Sequence, residues 1–129
     1  MNLRPTYKEL ANKIKLAVTL FASGAFSILE PGVILNDAME LGYSFEKEFS
    51  SIFQELLSLA TPENYAGARP PLRSYEAAIK GAELYAFVVQ PTLLESVDVY
   101  FKFALYNDCL MLVSLHRDRK GDDHGKFTE

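Results

Sequence analysis

The chain has 129 residues, of which 49% are hydrophobic, and this is enough for one domain with a sizeable core. Its formal net charge of −4 disfavours the class of generic nucleic-acid binders that carry a basic surplus. The one cysteine, Cys109, excludes a disulfide framework within the chain and favours a reducing cytoplasm, and two histidines without a second thiol argue against a structural zinc site.

A first helix is predicted to begin at Pro5-Thr6, and Ser23-Gly24 is predicted to end it or bend it. Apolar residues recur between them at helical spacing. The apolar run 16–26 is too short for a membrane span and has no cleavage site, so it is interpreted as the buried end of this helix, and no membrane partner is expected. The expected buried stripe is Tyr7, Leu10, Ala11, Ile14, Ala17, Val18 and Phe21.

Two more helices are predicted before residue 62. A short helical pattern covers Val33–Leu41, and Gly42 closes it as a C-cap. Ser44 begins the third helix, and Thr61-Pro62 ends it. The expected buried stripe of the third helix is Phe45, Phe49, Ile52, Phe53, Leu56 and Leu57.

The segment 62–81 contains three prolines and two glycines, too many for a long regular element. A short helical turn is expected around residues 75–80. Long loops in compact domains are often functional, so this segment is a candidate wall of a site. Glu83–Val89 follows as an apolar strand that ends at Gln90-Pro91.

The segment Val97–Arg117 is predicted to be a β-hairpin. Apolar residues alternate with other residues from Val97 to Leu105, which is the period of a half-buried strand. Asn107-Asp108 supplies turn chemistry. The core face is expected to hold the large apolar residues of 97–105 together with Met111, Val113 and Leu115.

The register of this hairpin follows from the requirement that apolar side chains share one face. We expect Tyr100 opposite His116 and Lys102 opposite Ser114. This pairing requires a three-residue connection, Asn107-Asp108-Cys109, or a bulge beside it. A two-residue turn would instead mix the two faces.

The predicted element order is three helices followed by a sheet, which belongs to the α+β class. The three N-terminal helices are expected to pack on one face of a small antiparallel sheet that ends in the C-terminal hairpin. One domain is expected from residue 1 to 116. Residues 117–129 have little apolar content and are expected to form a mobile polar tail.

The outer face of the hairpin is a candidate catalytic centre. Cleavage of RNA by its own 2′-hydroxyl needs a base, an acid and cations around the phosphate, and it requires no metal. His116 supplies an acid or base near neutral pH, Lys102 supplies a cation, and Tyr100 donates a hydrogen bond or stacks on a base. Ser114 lies beside them but has no Gly-rich elbow, so it is interpreted as a structural hydroxyl. The candidate substrate-binding residues of the loop are Tyr65, Arg69, Arg73, Tyr75 and Lys80.

Structural roles are the alternative for these residues. Tyr100 and Lys102 are also typical of the solvated side of an edge hairpin, and a histidine at a strand end is commonly a surface residue. Arg69 and Arg73 would then hold the loop through hydrogen bonds to carbonyl groups. Tyr65 would anchor the loop on the third helix.

Two stretches of the chain resemble one family of bacterial toxins. ILNDAMELGYSF, residues 34–45, is similar to the segment of MqsR-type toxins in which a small helix with an A-x-ELG pattern precedes the next helix. VYFKFALYNDCLMLVSLH, residues 99–116, resembles their C-terminal hairpin. MqsR belongs to the RelE-like endoribonucleases. The resemblance therefore implies their α+β fold, metal-independent cleavage of mRNA without a cofactor, and an antitoxin protein as partner.

The resemblance also implies roles for individual residues. The family's functional tyrosine at the hairpin start falls on Tyr100, and the lysine two residues on falls on Lys102. The basic residue that ends the last strand falls on His116. The tyrosine of an F-Y-K segment after the third helix falls on Tyr65.

The chain departs from the family pattern at three places. Ala66 replaces the functional lysine of the F-Y-K segment, an apolar residue near Ala86 replaces a functional glutamine, and residues 69–80 form an insertion whose cations are candidate substitutes. These departures favour a rival hypothesis, a non-catalytic protein-interaction module on the same scaffold. Its acidic helices would bind basic proteins, and its hairpin edge would add a strand from another chain. A small-molecule pocket between helices and sheet is a third hypothesis.

Overall fold

The computed structural model describes residues 4–32, 45–91 and 97–118. This part of the chain combines helices with a four-stranded sheet, which confirms the α+β class. Short 3₁₀ helices at Pro62–Asn64 and Ala77–Ile79 lie in the long loop. The main elements are α1 (Tyr7–Ala22), β1 (Phe26–Ile28), α2 (Phe45–Leu59), β2 (Leu84–Val89), β3 (Val99–Tyr106) and β4 (Cys109–Arg117).

Two α-helices occur in the part of the chain that the structure describes, and they correspond to the first and third predicted helices. The predicted helix Val33–Leu41 and the predicted cap Ser44 lie outside the described residues. The predicted polar tail lies outside them from residue 119 onward, while Arg117 is the last residue of β4.

The ends of α1 are those that the sequence predicts. Thr6 is the N-cap, and its side chain accepts a hydrogen bond from the backbone N–H of Glu9 (3.1 Å). At the other end Gly24 adopts a positive φ of 86°. The N–H of Gly24 donates to the carbonyl of Phe21, and the N–H of Ala25 donates to the carbonyl of Leu20. This pair of bonds is a Schellman cap, which ends the helix and turns the chain into β1.

The sheet is mixed, and the prediction of a purely antiparallel sheet is wrong. Its strand order is β1-β4-β3-β2, and β1 runs parallel to β4 with Phe26 opposite Leu110. The sequence interpretation missed β1 because it assigned Phe26 to the apolar end of α1. Three residues are too few to show the alternation that identifies a strand.

The hydrophobic core lies between the two helices and one face of the sheet. Phe53 of α2 is its centre, since its ring contacts Phe21 (5.4 Å between centroids), Phe26 (5.3 Å) and Phe101 (5.9 Å). Phe101 in turn stacks on Phe87 (5.8 Å). The buried cluster consists of Leu10, Ile14, Ala17, Ile52, Phe53, Leu56, Leu57, Ala60, Tyr85, Phe87, Val89, Val99, Phe101, Phe103, Leu110, Leu112 and Leu115.

The predicted hairpin register is confirmed, and of the two predicted ways to reach it the chain uses a bulge, at Val113 rather than beside the turn. Tyr100 pairs with His116 and Lys102 with Ser114. The turn contains two residues, Asn107 and Asp108, with φ of 52° and 56°. Positive φ at both central positions defines a type I′ turn, which matches the twist of the strands.

A β-bulge reconciles this two-residue turn with the register. Lys102 pairs with Ser114 but Phe103 pairs with Leu112, so Val113 is one extra residue in β4. The bulge shifts the alternation of β4, and Leu112 is fully buried while Val113 is half-buried. The expectation that Met111 and Val113 belong to the core face is therefore wrong. Leu110, Leu112 and Leu115 occupy that face.

No helix among the described residues is long and apolar enough to cross a bilayer. Within the same ranges, no group of three or more His, Cys, Asp or Glu side chains could hold a metal ion.

Replacing Phe101 by Ala is expected to lower the free energy of unfolding by about 3–5 kcal/mol, because it removes a fully buried ring from between Phe53 and Phe87. Urea unfolding measures the change. Val18→Ala is the matched control, since Val18 is 43% exposed on α1, and it is expected to change the midpoint little. Equal losses in both variants would contradict this description of the core.

Candidate functional site

The sheet face turned away from the helices carries a ladder of polar side chains on β3 and β4. Side chains alternate across a strand, so Tyr100 and Lys102 face away from Phe101 and the core. The rings of Tyr100 and His116 stack with centroids 4.7 Å apart and planes inclined by 12°. Lys102 lies opposite Ser114, two residues further along the strands and the next pair on this face. We call this group of four residues the outer-face ladder.

The two β3 members of the outer-face ladder are buried. Tyr100 is 4% exposed and Lys102 is 8% exposed, while Ser114 and His116 are half-buried. The interpretation of Tyr100 and Lys102 as the solvated side of an edge hairpin is therefore wrong. β3 is an inner strand, with β2 on one side and β4 on the other, so Tyr100 and Lys102 do not lie on an edge strand.

The imidazole of His116 is held by its own strand end. Its Nδ1 lies 2.8 Å from the carbonyl oxygen of Arg117. A carbonyl oxygen only accepts hydrogen bonds, so Nδ1 carries the proton in this contact. In the neutral ring Nε2 is then the atom with the free lone pair. The geometry gives His116 a defined proton-accepting atom beside the ring of Tyr100.

Two carboxylates extend the ladder beyond His116, and sequence reasoning missed them as a pair. The backbone N–H of Asp118 donates to the carbonyl of Asp98 (2.8 Å), which continues the register two residues past Tyr100 and His116, to the next pair on the same face. Both acids are half-buried. The predicted register already implied this pair. In an antiparallel hairpin, a step of two residues back from Tyr100 on β3 and two residues forward from His116 on β4 brings Asp98 opposite Asp118.

The two loop arginines bond to backbone carbonyl groups. Arg69 donates from Nη1 to the carbonyl of Pro5 (2.8 Å), and its guanidinium lies 5.1 Å from the centre of the Tyr65 ring. Arg73 donates from Nη1 to the carbonyl of Gly81 (2.9 Å). These are the contacts that the structural alternative for the two arginines expects.

Tyr65 packs on the helix side of the sheet. Its ring contacts Phe87 edge-on (5.8 Å between centroids, 72°), and its hydroxyl donates to the carbonyl of Ala68. Burial raises the pKa of the phenol to about 12, so Tyr65 is a neutral donor at physiological pH. The backbone N–H of Ala66 bonds to the carbonyl of Ala86 (2.8 Å), so this part of the loop lies along the free edge of β2.

A charged network ties the start of the chain to the end of the loop. Arg4 pairs with both Glu9 and Glu83, and the phenol of Tyr85 donates to Glu83 (2.9 Å). The hydrogen bond from Arg4 lowers the pKa of the Glu83 carboxyl to about 2, and it also lowers the pKa of Glu9. Arg73 adds a weaker ion pair to Glu83 at 3.8 Å. No sequence pattern predicts this network, because Arg4 and Glu83 are 79 positions apart.

The structure thus divides the candidate site residues into three groups. Tyr100, Lys102 and His116 lie together on the outer-face ladder. Tyr65, Arg69 and Arg73 contact residues on the helix side or at the β2 edge. Tyr75 and Lys80 are exposed in the loop around the second 3₁₀ helix. Among the described residues, no contact joins Arg69, Arg73 or Lys80 to the outer-face ladder, so the expectation that these cations fold over the hairpin face is not supported.

A groove between the helices bears on the small-molecule hypothesis. Its volume is about 450 Å³, and it lies between α1 and α2 rather than between helices and sheet. Its lining is largely aliphatic and polar, with one aromatic ring. The lining residues are Val18, Phe21, Ala22, Gln54, Leu57 and Ser58.

Comparisons with protein-family models, with curated proteins and with solved structures find no match to this chain. The resemblance to MqsR-type toxins therefore depends on the two quoted stretches of sequence alone.

Glu83→Gln is expected to destabilise the fold at pH 7, because it removes the carboxylate that Arg4 binds. The folded-state pKa of about 2 lies below the ordinary value of 4.5. The stabilisation is therefore present above about pH 4.5 and is lost as the pH falls towards 2. Urea unfolding at several pH values measures the difference between the wild type and the variant.

The matched control for this experiment is Glu76→Gln, which changes an exposed carboxylate of the same loop. It is expected to leave the unfolding curve close to the wild-type one at every pH. A difference between wild type and Glu83→Gln that stays constant from pH 7 to pH 2 would contradict the electrostatic role of Glu83.

Proposed function

We propose that the protein is an MqsR/RelE-like toxin that cleaves mRNA without metal, with the outer-face ladder as its active centre. One observation carries the proposal: the pairing of β3 with β4 brings a phenol, an ammonium group and an imidazole together on one face. These groups match the three positions that the resemblance implies for the toxin site. An antitoxin protein is the partner that the same resemblance implies.

The chemistry follows from the atoms on this face. Nε2 of His116 takes the proton of the RNA 2′-hydroxyl, whose oxygen then attacks the adjacent phosphorus. The bond from phosphorus to the 5′ oxygen breaks, and that oxygen takes a proton from solvent. The products are a 2′,3′-cyclic phosphate and a 5′-hydroxyl. Lys102 supplies positive charge to the phosphorane, and Tyr100 holds the imidazole by stacking.

A non-catalytic protein-interaction module is the second candidate, and the loop arginines favour it. Arg69 and Arg73 both bond to backbone carbonyl groups, away from His116. This arrangement removes two of the cations that were expected to bind the phosphate. On this alternative the ladder is a structural feature of a sheet that binds another protein.

Cleavage of a single-stranded RNA by the purified chain in the presence of EDTA tests the first proposal. The wild type is expected to produce ends with 2′,3′-cyclic phosphate. His116→Ala is expected to lower the rate by about 10²- to 10⁴-fold, because it removes the proton acceptor. Ser27→Ala, an exposed change on β1, is the matched control and is expected to keep the wild-type rate.

Expression in bacteria gives a second measurement of the same proposal. Growth arrest is expected from the wild type and relief of the arrest from His116→Ala. Intact RNA and normal growth with the wild-type chain would contradict the nuclease proposal and leave the interaction module as the better account.

A further inference from the structure

The part of the loop between residues 72 and 84 is a preformed projection. Its two ends pair along the β2 edge, where the N–H of Leu84 bonds to the carbonyl of Leu72 (2.8 Å). Ser74 pairs with the other side twice, by its N–H to Ala82 and by its carbonyl to Gly81 (2.9 Å each). The guanidinium of Arg73 adds a bond to the Gly81 carbonyl. The base of the projection is therefore closed by four hydrogen bonds.

The interior of the projection is also fixed. Ile79 is fully buried, and its N–H bonds to the carbonyl of Glu76 (3.0 Å) within the 3₁₀ helix. Ser74 is 6% exposed, and its hydroxyl accepts the N–H of Glu76 (3.0 Å). A loop held in this way loses little conformational entropy when its tip binds a ligand.

The tip of this projection presents a tyrosine to solvent. Tyr75 is 93% exposed, although the residues on both sides of it in the loop are fixed by hydrogen bonds. The other strongly exposed tyrosine of the described residues, Tyr7 on α1, is 64% exposed. Both faces of the Tyr75 ring are thus open to a flat partner, and tyrosine loses few rotamers when it stacks.

The charge around Tyr75 favours an anionic partner. The projection 72–84 contains two cations, Arg73 and Lys80, and two carboxylates, Glu76 and Glu83. The Glu83 side chain is 18% exposed and is bound by Arg4, so the exposed charges of the projection are Arg73, Lys80 and Glu76. The Arg73 side chain is 67% exposed even though it bonds to Gly81, and Lys80 is exposed. An exposed aromatic ring between cations is the combination that binds single-stranded nucleic acid, with stacking on the base and charge on the phosphates.

We propose that the projection 72–84 is a binding platform for single-stranded RNA, in which Tyr75 stacks on an unpaired base and Lys80 contacts a phosphate. The proposal rests on the proposed function, since it names how the RNA substrate is held. The platform joins the sheet at Leu84, which pairs with Ala104, whereas His116 pairs with Tyr100, four residues further along β3. The base of the platform and His116 are therefore separated by about 14 Å along the strands and about 10 Å across the sheet. Several nucleotides therefore separate the stacked base from the bond that His116 would cleave.

Binding of a fluorescein-labelled single-stranded RNA, followed by anisotropy, tests the platform directly. Every variant is made in the His116→Ala chain so that cleavage does not consume the probe. Tyr75→Ala is expected to weaken binding about 5-fold or more, and Tyr75→Phe is expected to retain it, because stacking needs the ring and not the hydroxyl. Tyr7→Ala is the matched control on an exposed tyrosine and is expected to bind like the parent.

Two further variants check the contacts separately. The chain has no tryptophan, so Tyr75→Trp introduces a unique fluorophore whose emission is expected to fall when an RNA base stacks on it. Lys80→Gln is expected to reduce the slope of log affinity against log salt concentration by about 0.7, the value for one phosphate contact on a single strand.

Equal RNA affinity of Tyr75→Ala and its parent would overturn the platform and leave the exposed ring to a contact with protein. Equal affinity for single-stranded and duplex RNA would overturn it too, because a paired base offers no free face. If the wild type still cleaves RNA in either case, only the platform fails and the nuclease proposal stands. If the wild type neither binds nor cleaves RNA, both proposals fail.

Discussion

The pairing of β3 with β4, with one extra residue at Val113, is the constraint on which the rest of the structure depends. Without the bulge, a two-residue turn would set Tyr100 opposite Leu115 and force polar and apolar side chains onto the same face. With it, Leu110, Leu112 and Leu115 all face the helices, and His116 stacks on Tyr100 on the other side. One inserted residue therefore creates both the continuous core and the ladder.

The elements with long periodic patterns were predictable from the sequence. The end signals of α1, the buried stripe of α2 between Ile52 and Leu57 and the alternation of β3 all depend on neighbouring residues, and each is found where expected. In the predicted stripe of α1, by contrast, Tyr7, Ala11 and Val18 are exposed. The position of the bulge and the strand β1 were not predictable. Both depend on which residues meet across the sheet, and neither leaves a repeating pattern in the sequence.

The candidate site was predictable only in its hairpin part. Tyr100, Lys102 and His116 lie on one face because the period of a strand places them there. The positions of Arg69 and Arg73 were not predictable. Each bonds to a backbone carbonyl group, that of Pro5 or of Gly81, and no local sequence pattern indicates these partners. Because the two arginines are separated from the ladder, a non-catalytic module stays the alternative function. For RNA binding by the loop, the exposed ring of Tyr75 is therefore a stronger indication than the arginines.

The central claim is that the bulged register puts the rings of Tyr100 and His116 in contact, and nuclear Overhauser spectroscopy of the isotope-labelled chain tests it most directly. Centroids 4.7 Å apart predict strong cross peaks between the ring protons of the two residues. Cross peaks from the Tyr100 ring to the methyl groups of Leu115, without those to His116, would show the unbulged register and contradict the account.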